Sequence, residues 1–183
     1  INSDVFHKLL GENRKEKLMK QHVIVIGAGF AGLRAVRGLA GKGFIVTLID
    51  RQNYHLFQPL LYQVATAGLE SESIAYPVRA ALRGLKDVTF RMGEVTSVDL
   101  DTRRVRLGSG DSLSYDYLVV AAGAATMFFG LESVERVALE LKGLDDATRL
   151  RNRVLTAFEQ AAHEPDPKIR RALLTFVVAG GGP

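Results

Sequence analysis

A glycine-rich turn near the start of the chain carries the residues most capable of chemistry. Gly27, Gly29 and Gly32 form the pattern G-x-G-x-x-G between an apolar strand pattern and a helical pattern. The first glycine permits a tight turn, the second lets the backbone approach a pyrophosphate, and the third lets helix and strand pack closely. The helix N-terminus adds free N–H groups and partial positive charge. The turn therefore predicts a site for the diphosphate of a dinucleotide.

An acidic residue in the next strand pattern narrows the choice of dinucleotide. Asp50 follows a β-branched, apolar run and stands 18 residues after Gly32. A carboxylate at this position accepts hydrogen bonds from ribose hydroxyls and repels a 2′-phosphate. The pair of signals predicts an adenosine diphosphate group of FAD or NAD rather than of NADP.

The elements that must position this turn form a β-α-β unit. Apolar runs over 22–26 and 44–49 predict two strands, and the apolar spacing over 30–42 predicts a helix that Gly41 and Gly43 end. A crossover of this length predicts neighbouring parallel strands. The fold class is therefore α/β, with a Rossmann-like parallel sheet and an antiparallel three-stranded meander further along the chain.

The rest of the chain predicts a mixture of strands and helices. Some segments alternate apolar and polar residues, some are continuously apolar, and one has the spacing of an amphipathic helix. The predicted elements are a helix from Ser73 to about Arg83 with Pro77 in its first turns, a strand over 88–92, a hairpin over 95–100 and 104–107, a strand over 117–122, a helix over 145–163, and a strand over 173–179.

Composition excludes several classes of protein. The 183 residues are 47% hydrophobic and 24% charged, which is typical of a globular domain rather than a disordered one. There is no cysteine, so this stretch holds no thiol nucleophile, redox disulfide or cysteine-ligated metal. The net charge of +4 is small and gives little support for binding of nucleic acid or of a membrane, and nucleic-acid binding is not expected. The longest uncharged apolar run, 117–131, is shorter than a membrane span.

The predicted meander and the strand after it favour FAD over NAD at the first site. The strand over 117–122 runs into Ala121-Ala122-Gly123. This arrangement resembles the two-dinucleotide-binding-domain flavoproteins, in which the returning strand ends in a similar turn beside the flavin nucleotide. A second glycine turn follows the apolar run at 173–179, and Gly180 and Gly182 would open another G-x-G-x-x-G, for NADH.

A particular loop narrows the resemblance to one family. Residues 53–68 read NYHLFQPLLYQVATAG, residues 74–79 read IAYPVR, and residues 150–155 read LRNRVL. These segments resemble the type II, non-proton-pumping NADH:quinone oxidoreductases over about residues 20–183. Glutathione-reductase-type enzymes and sulfide:quinone reductases have cysteines near the first FAD segment, and this chain has none.

The resemblance implies roles for individual residues. The loop histidine, His55, is expected to be structural, because hydride chemistry at a flavin needs no protein base. Arg51 either pairs with a phosphate or faces solvent, and both possibilities stay open. The residues implied to bind FAD are Gly27, Gly29, Ala31 and Gly32 at the pyrophosphate, Asp50 at the ribose, Val95 at the adenine, Gln63 and Thr66 at the ribityl or flavin region, and Gly123 at the flavin nucleotide.

The resemblance also implies an activity and a setting. The expected reaction is electron transfer from NADH to a membrane quinone through FAD, by a peripheral protein on the cytoplasmic face of a bacterial plasma membrane. Membrane association is expected through a C-terminal region, and a homodimer is left open. Residues 1–20 are expected to be a disordered extension, 21–125 the first segment of the FAD domain, 126–172 a linker with an amphipathic helix, and 173–183 the start of a truncated NADH domain.

Residues 1–183 are therefore expected to be a fragment that is inactive alone and holds FAD weakly. Three alternatives to the expected activity stay open. They are another NADH:acceptor flavoprotein reductase of the same architecture, a non-catalytic flavin-binding module, and a soluble NAD-binding domain.

Overall fold

Near the start of the chain, the secondary structure has the strand–helix–strand order that the sequence predicts. A computed structural model describes residues 20–180. The strands are β1 His22–Ile26, β2 Ile45–Asp50, β3 Tyr54–Leu56, β4 Ala75–Pro77, β5 Val88–Met92, β6 Val95–Asp99, β7 Arg104–Leu107, β8 Ser112–Ser114 and β9 Tyr117–Val120. The helices are α1 Phe30–Leu39, α2 Leu61–Ala65, α3 Val78–Ala81, α4 Glu132–Glu135, α5 Leu144–His163 and α6 Pro167–Leu173, with short 3-10 helices at Gln58–Leu60 and Ser71–Ser73.

A four-stranded parallel sheet is the central layer. Its strand order is β5-β2-β1-β9, so β1 lies between β2 and β9. Val25 is opposite Leu48 of β2 and Val119 of β9, which aligns the carboxyl ends of the strands at one edge. Because every strand points the same way, the turns that follow them gather at this carboxyl edge, where open α/β sheets bind ligands.

The two faces of the sheet are covered by different layers. On one face α1 and α3 pack over β1, β2 and β5, with Val36, Val46 and Val78 fully buried. On the other face lies the antiparallel meander β6-β7-β8, whose Val105 and Leu107 pack against Ile24 and Ile49. Covering on both faces explains why residues 23–26 of β1 and 48–49 of β2 are continuously apolar rather than alternating.

A third cluster joins the long helix α5 to the loop after β3. Ala147 on α5 is fully buried among Leu61, Val64 and Ala65 of α2 and Ile74. The amphipathic spacing over 145–163 is thus explained in part by a surface that α5 shares with α2. No helix among residues 20–180 is both long enough and apolar enough to span a membrane.

The helix expected from Ser73 to about Arg83 is wrong in its first half. Residues 75–77 form β4, which pairs antiparallel with β3 so that Tyr54 is opposite Pro77 and Leu56 opposite Ala75. A residue that precedes proline is biased away from helical backbone, and Pro77 itself is extended (φ −57°, ψ 126°). Only α3, after Pro77, is helical.

The strand expected over 173–179 is also not formed. Helix α6 runs through Leu173, and residues 175–180 have no regular secondary structure. No strand within residues 20–180 pairs with this segment, and Val177 and Val178 are largely exposed. A strand needs a hydrogen-bonded neighbour, which hydrophobic pattern alone does not reveal. Gly182 and the expected extension at 1–19 lie outside the described residues.

Candidate functional site

The first and third glycines of the turn are required by close backbone contacts. Gly27 has a φ of +102°, and a Cβ there would lie 2.2 Å from the Ala121 carbonyl oxygen. A Cβ on Gly32 would lie 1.8 Å from the carbonyl oxygen of Gly27. The Gly27 N–H donates to the Ile49 carbonyl over 2.7 Å. The turn is therefore packed between the ends of β2 and β9, as the roles predicted for these two glycines require.

The second glycine faces open space. Gly29 caps the N-terminus of α1 with φ −72°, and no atom lies within 4 Å of a Cβ built on it. Ala31, in the first turn of α1, is exposed, and that turn contains no acidic residue. Free N–H groups of the first helical turn, positive helix-end charge and a missing side chain together fit a diphosphate.

Asp50 lies at the end of β2, beside the glycine turn. Its Oδ2 accepts a hydrogen bond from the Ala28 N–H at 2.6 Å, and its Oδ1 accepts one from the Gln52 N–H at 2.8 Å. A carboxylate has about four acceptor positions. Asp50 can therefore hold the turn in place and still accept ribose hydroxyls. The bond to Ala28 was not foreseen from the sequence, because the 22-residue separation gives no local signal.

The loop histidine binds the carbonyl of the same residue, Ala28. His55 Nδ1 lies 2.9 Å from the Ala28 carbonyl oxygen and donates to it, since a carbonyl oxygen only accepts. The imidazole ring packs edge-on against Phe30, with ring centroids 4.9 Å apart. Phe30 also meets Phe57 edge-on at 5.6 Å. These contacts support the expectation that His55 is structural.

Tyr54 is the site's perturbed ionisable group. Partial burial, with the negative charges of Asp145 and Asp50, raises the pKa of the Tyr54 phenol above its ordinary value, and Arg51 acts in the opposite direction. Tyr54 therefore stays a neutral hydroxyl at physiological pH. Arg51 is exposed and forms no ion pair with any carboxylate in residues 20–180.

The remaining predicted contacts fall into two groups. Val95 opens β6 beside a bulge, and Gly123 has a φ of +78° with open space around it, as a turn facing a ligand requires. Gln63 donates to the Tyr62 hydroxyl at 3.0 Å, and Thr66 donates to the Tyr62 carbonyl at 2.9 Å. The roles of these four residues toward a flavin stay predictions.

Several of the predicted site residues lie together at one edge of the central sheet. The glycine turn, Asp50 and the segment 121–123 all lie at the carboxyl edge of the sheet, where β1, β2 and β9 end. Gly180 has a φ of +93°, suited to a glycine turn, but follows α6 in a segment without regular structure. The described residues thus place the open turn at Gly29 and the Asp50 carboxylate side by side.

Comparison with protein families matches residues 21–183 to the pyridine nucleotide-disulphide oxidoreductases. The chain belongs to that family. Its fold class, a Rossmann-like parallel sheet with an antiparallel meander, is confirmed by the sheet topology. The 183 residues contain no cysteine, so they hold no disulphide.

Individual relatives confirm the narrower resemblance. The chain is 44% identical over 167 residues to the type II NADH:quinone oxidoreductase Ndh of Mycobacterium tuberculosis, covering 90% of this chain and 36% of that protein. The structure of NDH2 from Plasmodium falciparum in complex with NADH superposes with a TM-score of 0.74 at 26% identity, over 83% of this chain and 32% of that one. A sulfide:quinone oxidoreductase from Aquifex aeolicus gives 0.65 at 26% identity, over 76% and 32%. The chain spans about a third of the length of these relatives.

The contact between His55 and Ala28 leads to a first prediction. His55→Ala is expected to lower the free energy of unfolding by about 1 kcal/mol, because the Ala28 carbonyl loses its donor. His55→Asn keeps an N–H near the Nδ1 position and is expected to lose less. Urea unfolding of the two variants tests the difference.

The structural role of His55 also has a kinetic control. In the protein that carries this chain, His55→Asn is expected to retain wild-type kcat for NADH oxidation. A variant that folds and holds flavin normally but loses kcat would show that the histidine takes part in the reaction.

Proposed function

We propose that the protein carrying this chain transfers electrons from NADH to a quinone through bound FAD. The observation that carries the proposal is the open cradle at Gly29 beside Asp50, in a chain 44% identical over 90% of its length to a type II NADH:quinone oxidoreductase. When bound, FAD supplies the redox chemistry, and the chain supplies binding and orientation. NADP is disfavoured because the Asp50 carboxylate repels a 2′-phosphate.

Each part of the cradle has its own task in this proposal. The N–H groups of the first turn of α1 bind the pyrophosphate, and Asp50 accepts the ribose hydroxyls while holding the Ala28 N–H at 2.6 Å. Val95 lies against the adenine, Gly123 approaches the flavin nucleotide, and Gln63 and Thr66 approach the ribityl or flavin region. Gly180 and Gly182 begin the NADH-binding turn. Arg51, exposed beside the site, either pairs with a phosphate or stays in solvent.

The proposed division of the chain follows from these tasks. Residues 21–125 form the first segment of the FAD domain, 126–172 link it to the next unit, and 173–183 begin an NADH domain. The linker contains α5, which packs on α2 through Ala147. The proposed setting is peripheral, on the cytoplasmic face of a plasma membrane.

Flavin content and acceptor choice test the proposed function. The protein carrying this chain is expected to release FAD on denaturation and to oxidise NADH with a soluble quinone analogue as acceptor. Oxidation with a ferredoxin-type acceptor but not with quinone would favour another reductase of the same architecture. Flavin without NADH oxidation would indicate a binding module, and no flavin would indicate an NAD-binding domain.

A separate prediction concerns residues 1–183 alone. Purified by themselves they are expected to hold well under one FAD per chain and to have no NADH:quinone activity, because they span only 36% of the relative's length. The visible absorbance of bound flavin, compared with the protein concentration, measures this ratio. A yellow complex with one flavin per chain would contradict this prediction.

A further inference from the structure

Two successive peptide groups of the glycine turn are held by side chains from the strands that follow it. Asp50 accepts the N–H of Ala28, which belongs to the peptide 27–28. His55 donates to the carbonyl of Ala28, which belongs to the peptide 28–29. The contact with Asp50 uses the donor of its peptide. The contact with His55 uses the acceptor of its peptide and leaves the donor, the Gly29 N–H, available to a ligand.

The Gly29 N–H has a defined direction. It has no hydrogen-bond partner among residues 20–180, although the Gly29 carbonyl accepts from the Leu33 N–H at 3.0 Å. The peptide 28–29 is trans, so its N–H and its carbonyl point in opposite directions. Because the carbonyl points to His55, the N–H points away from the imidazole ring. The contact with His55 therefore sets the orientation of a free donor in the turn.

The imidazole ring of His55 is held firmly enough to impose that orientation. His55 lies in β3 opposite Tyr76 of β4, so its backbone belongs to an antiparallel pair. Its half-buried ring packs edge-on against Phe30, with ring centroids 4.9 Å apart. The ring is thus fixed by neighbours on two elements, β4 and α1, and a fixed ring gives the Ala28 carbonyl a donor in one place.

We propose that His55 is a positioning residue for the diphosphate of the dinucleotide, acting through the peptide 28–29. It directs the Gly29 N–H toward the open side of the turn, where the diphosphate binds. Its donation to the carbonyl also polarises the peptide, which strengthens the N–H as a donor. Hydrogen bonds to a charged acceptor such as a phosphate are the strong ones, so their direction matters most.

The inference rests on the proposed function for the identity of the ligand, FAD. It adds a role for a side chain that acts through the backbone, and it concerns binding of the cofactor rather than the reaction. Its test therefore contains neither NADH nor a quinone.

Titration of FAD into the apoprotein of the protein that carries this chain tests the proposal. His55→Ala is expected to bind FAD about 10-fold more weakly, the loss of one well-directed hydrogen bond to a charged group. His55→Asn keeps an N–H near the Nδ1 position and is expected to bind FAD within about threefold of the unmodified protein.

The other half-buried histidine of the central sheet provides a matched control. His22 Nδ1 lies 2.8 Å from the Ser114 carbonyl oxygen and donates to it, as His55 does to Ala28. His22 begins β1, however, at the end of the sheet opposite the carboxyl edge. His22→Ala is expected to lower the free energy of unfolding at least as much as His55→Ala and to leave FAD affinity unchanged.

Phosphorus NMR of bound FAD separates positioning from a purely structural role. The pyrophosphate resonances of the His55→Ala holoprotein are expected to differ from those of the unmodified holoprotein. The resonances of His55→Asn and His22→Ala are expected to lie close to the unmodified ones.

Three results would overturn the inference while the proposed function stands. They are equal FAD affinity in the unmodified protein and His55→Ala, an equal loss of affinity in His55→Ala and His22→Ala, and an equal loss in His55→Ala and His55→Asn. An unmodified protein that binds no FAD would instead overturn the proposed function and the inference together.

Discussion

Gly32→Ala is expected to destabilise the chain by about 3 kcal/mol or more, the upper range for overpacking a filled site. The new methyl group would lie 1.8 Å from the Gly27 carbonyl oxygen and 3.0 Å from its carbonyl carbon, so backbone rather than a flexible side chain must move. Moving α1 away from the turn would also disturb Gly27, which packs against Ala121. Thermal unfolding is expected to show a fall in Tm on the order of 10 °C.

The same helix offers a matched control for this substitution. Gly38 lies in α1, and no atom is within 4 Å of a Cβ built on it. Gly38→Ala is therefore expected to stabilise the chain by about 0.5–1 kcal/mol, the usual gain from replacing a helical glycine. If both variants shifted Tm in the same direction and by similar amounts, close packing would not be the reason that position 32 requires glycine.

Gly29→Ala is expected to separate cofactor binding from folding. Nothing lies within 4 Å of the added methyl group and the φ of −72° suits any residue, but Ala is less favourable than Gly at an N-cap, so Tm is expected to fall by no more than about 4 °C. In the holoprotein the methyl group would occupy space that the proposed pyrophosphate needs. FAD affinity is expected to fall roughly 10- to 100-fold, the effect of about 1–3 kcal/mol of overpacking.

The Gly29→Ala prediction is tested by titrating FAD into the apoprotein of the protein that carries this chain. Binding is monitored by the quenching of flavin fluorescence. Gly38→Ala again serves as the control, because it adds the same methyl group to the same helix away from the cradle. Unchanged FAD affinity in a folded Gly29→Ala protein would show that the diphosphate does not bind at this turn.

The parts predicted correctly from sequence are those fixed by local pattern. β1 and β5 have the predicted bounds, and the roles of Gly27 and Gly32 follow from spacing that only a strand–turn–helix unit satisfies. The helix α1 ends at Leu39, three residues before residue 42, because Gly41, at a φ of +71°, cannot continue the helix.

The parts missed depend on distant partners. β4 exists because β3 pairs with it, and neither segment alone has the length or alternation typical of a strand. The segment 173–179 has the reverse problem: its pattern is that of a strand, but no described strand lies beside it. The bond from Ala28 to Asp50 likewise appears only once the chain is folded.

The double attachment of Ala28 has a thermodynamic consequence. Its N–H donates to Asp50 and its carbonyl accepts from His55, so two successive peptide groups of the glycine turn are held by residues elsewhere in the chain. Fixing the backbone of one residue costs about 1–2 kcal/mol in conformational entropy. In this protein that cost is met during folding, so the dinucleotide proposed for this turn would bind to a preorganised loop.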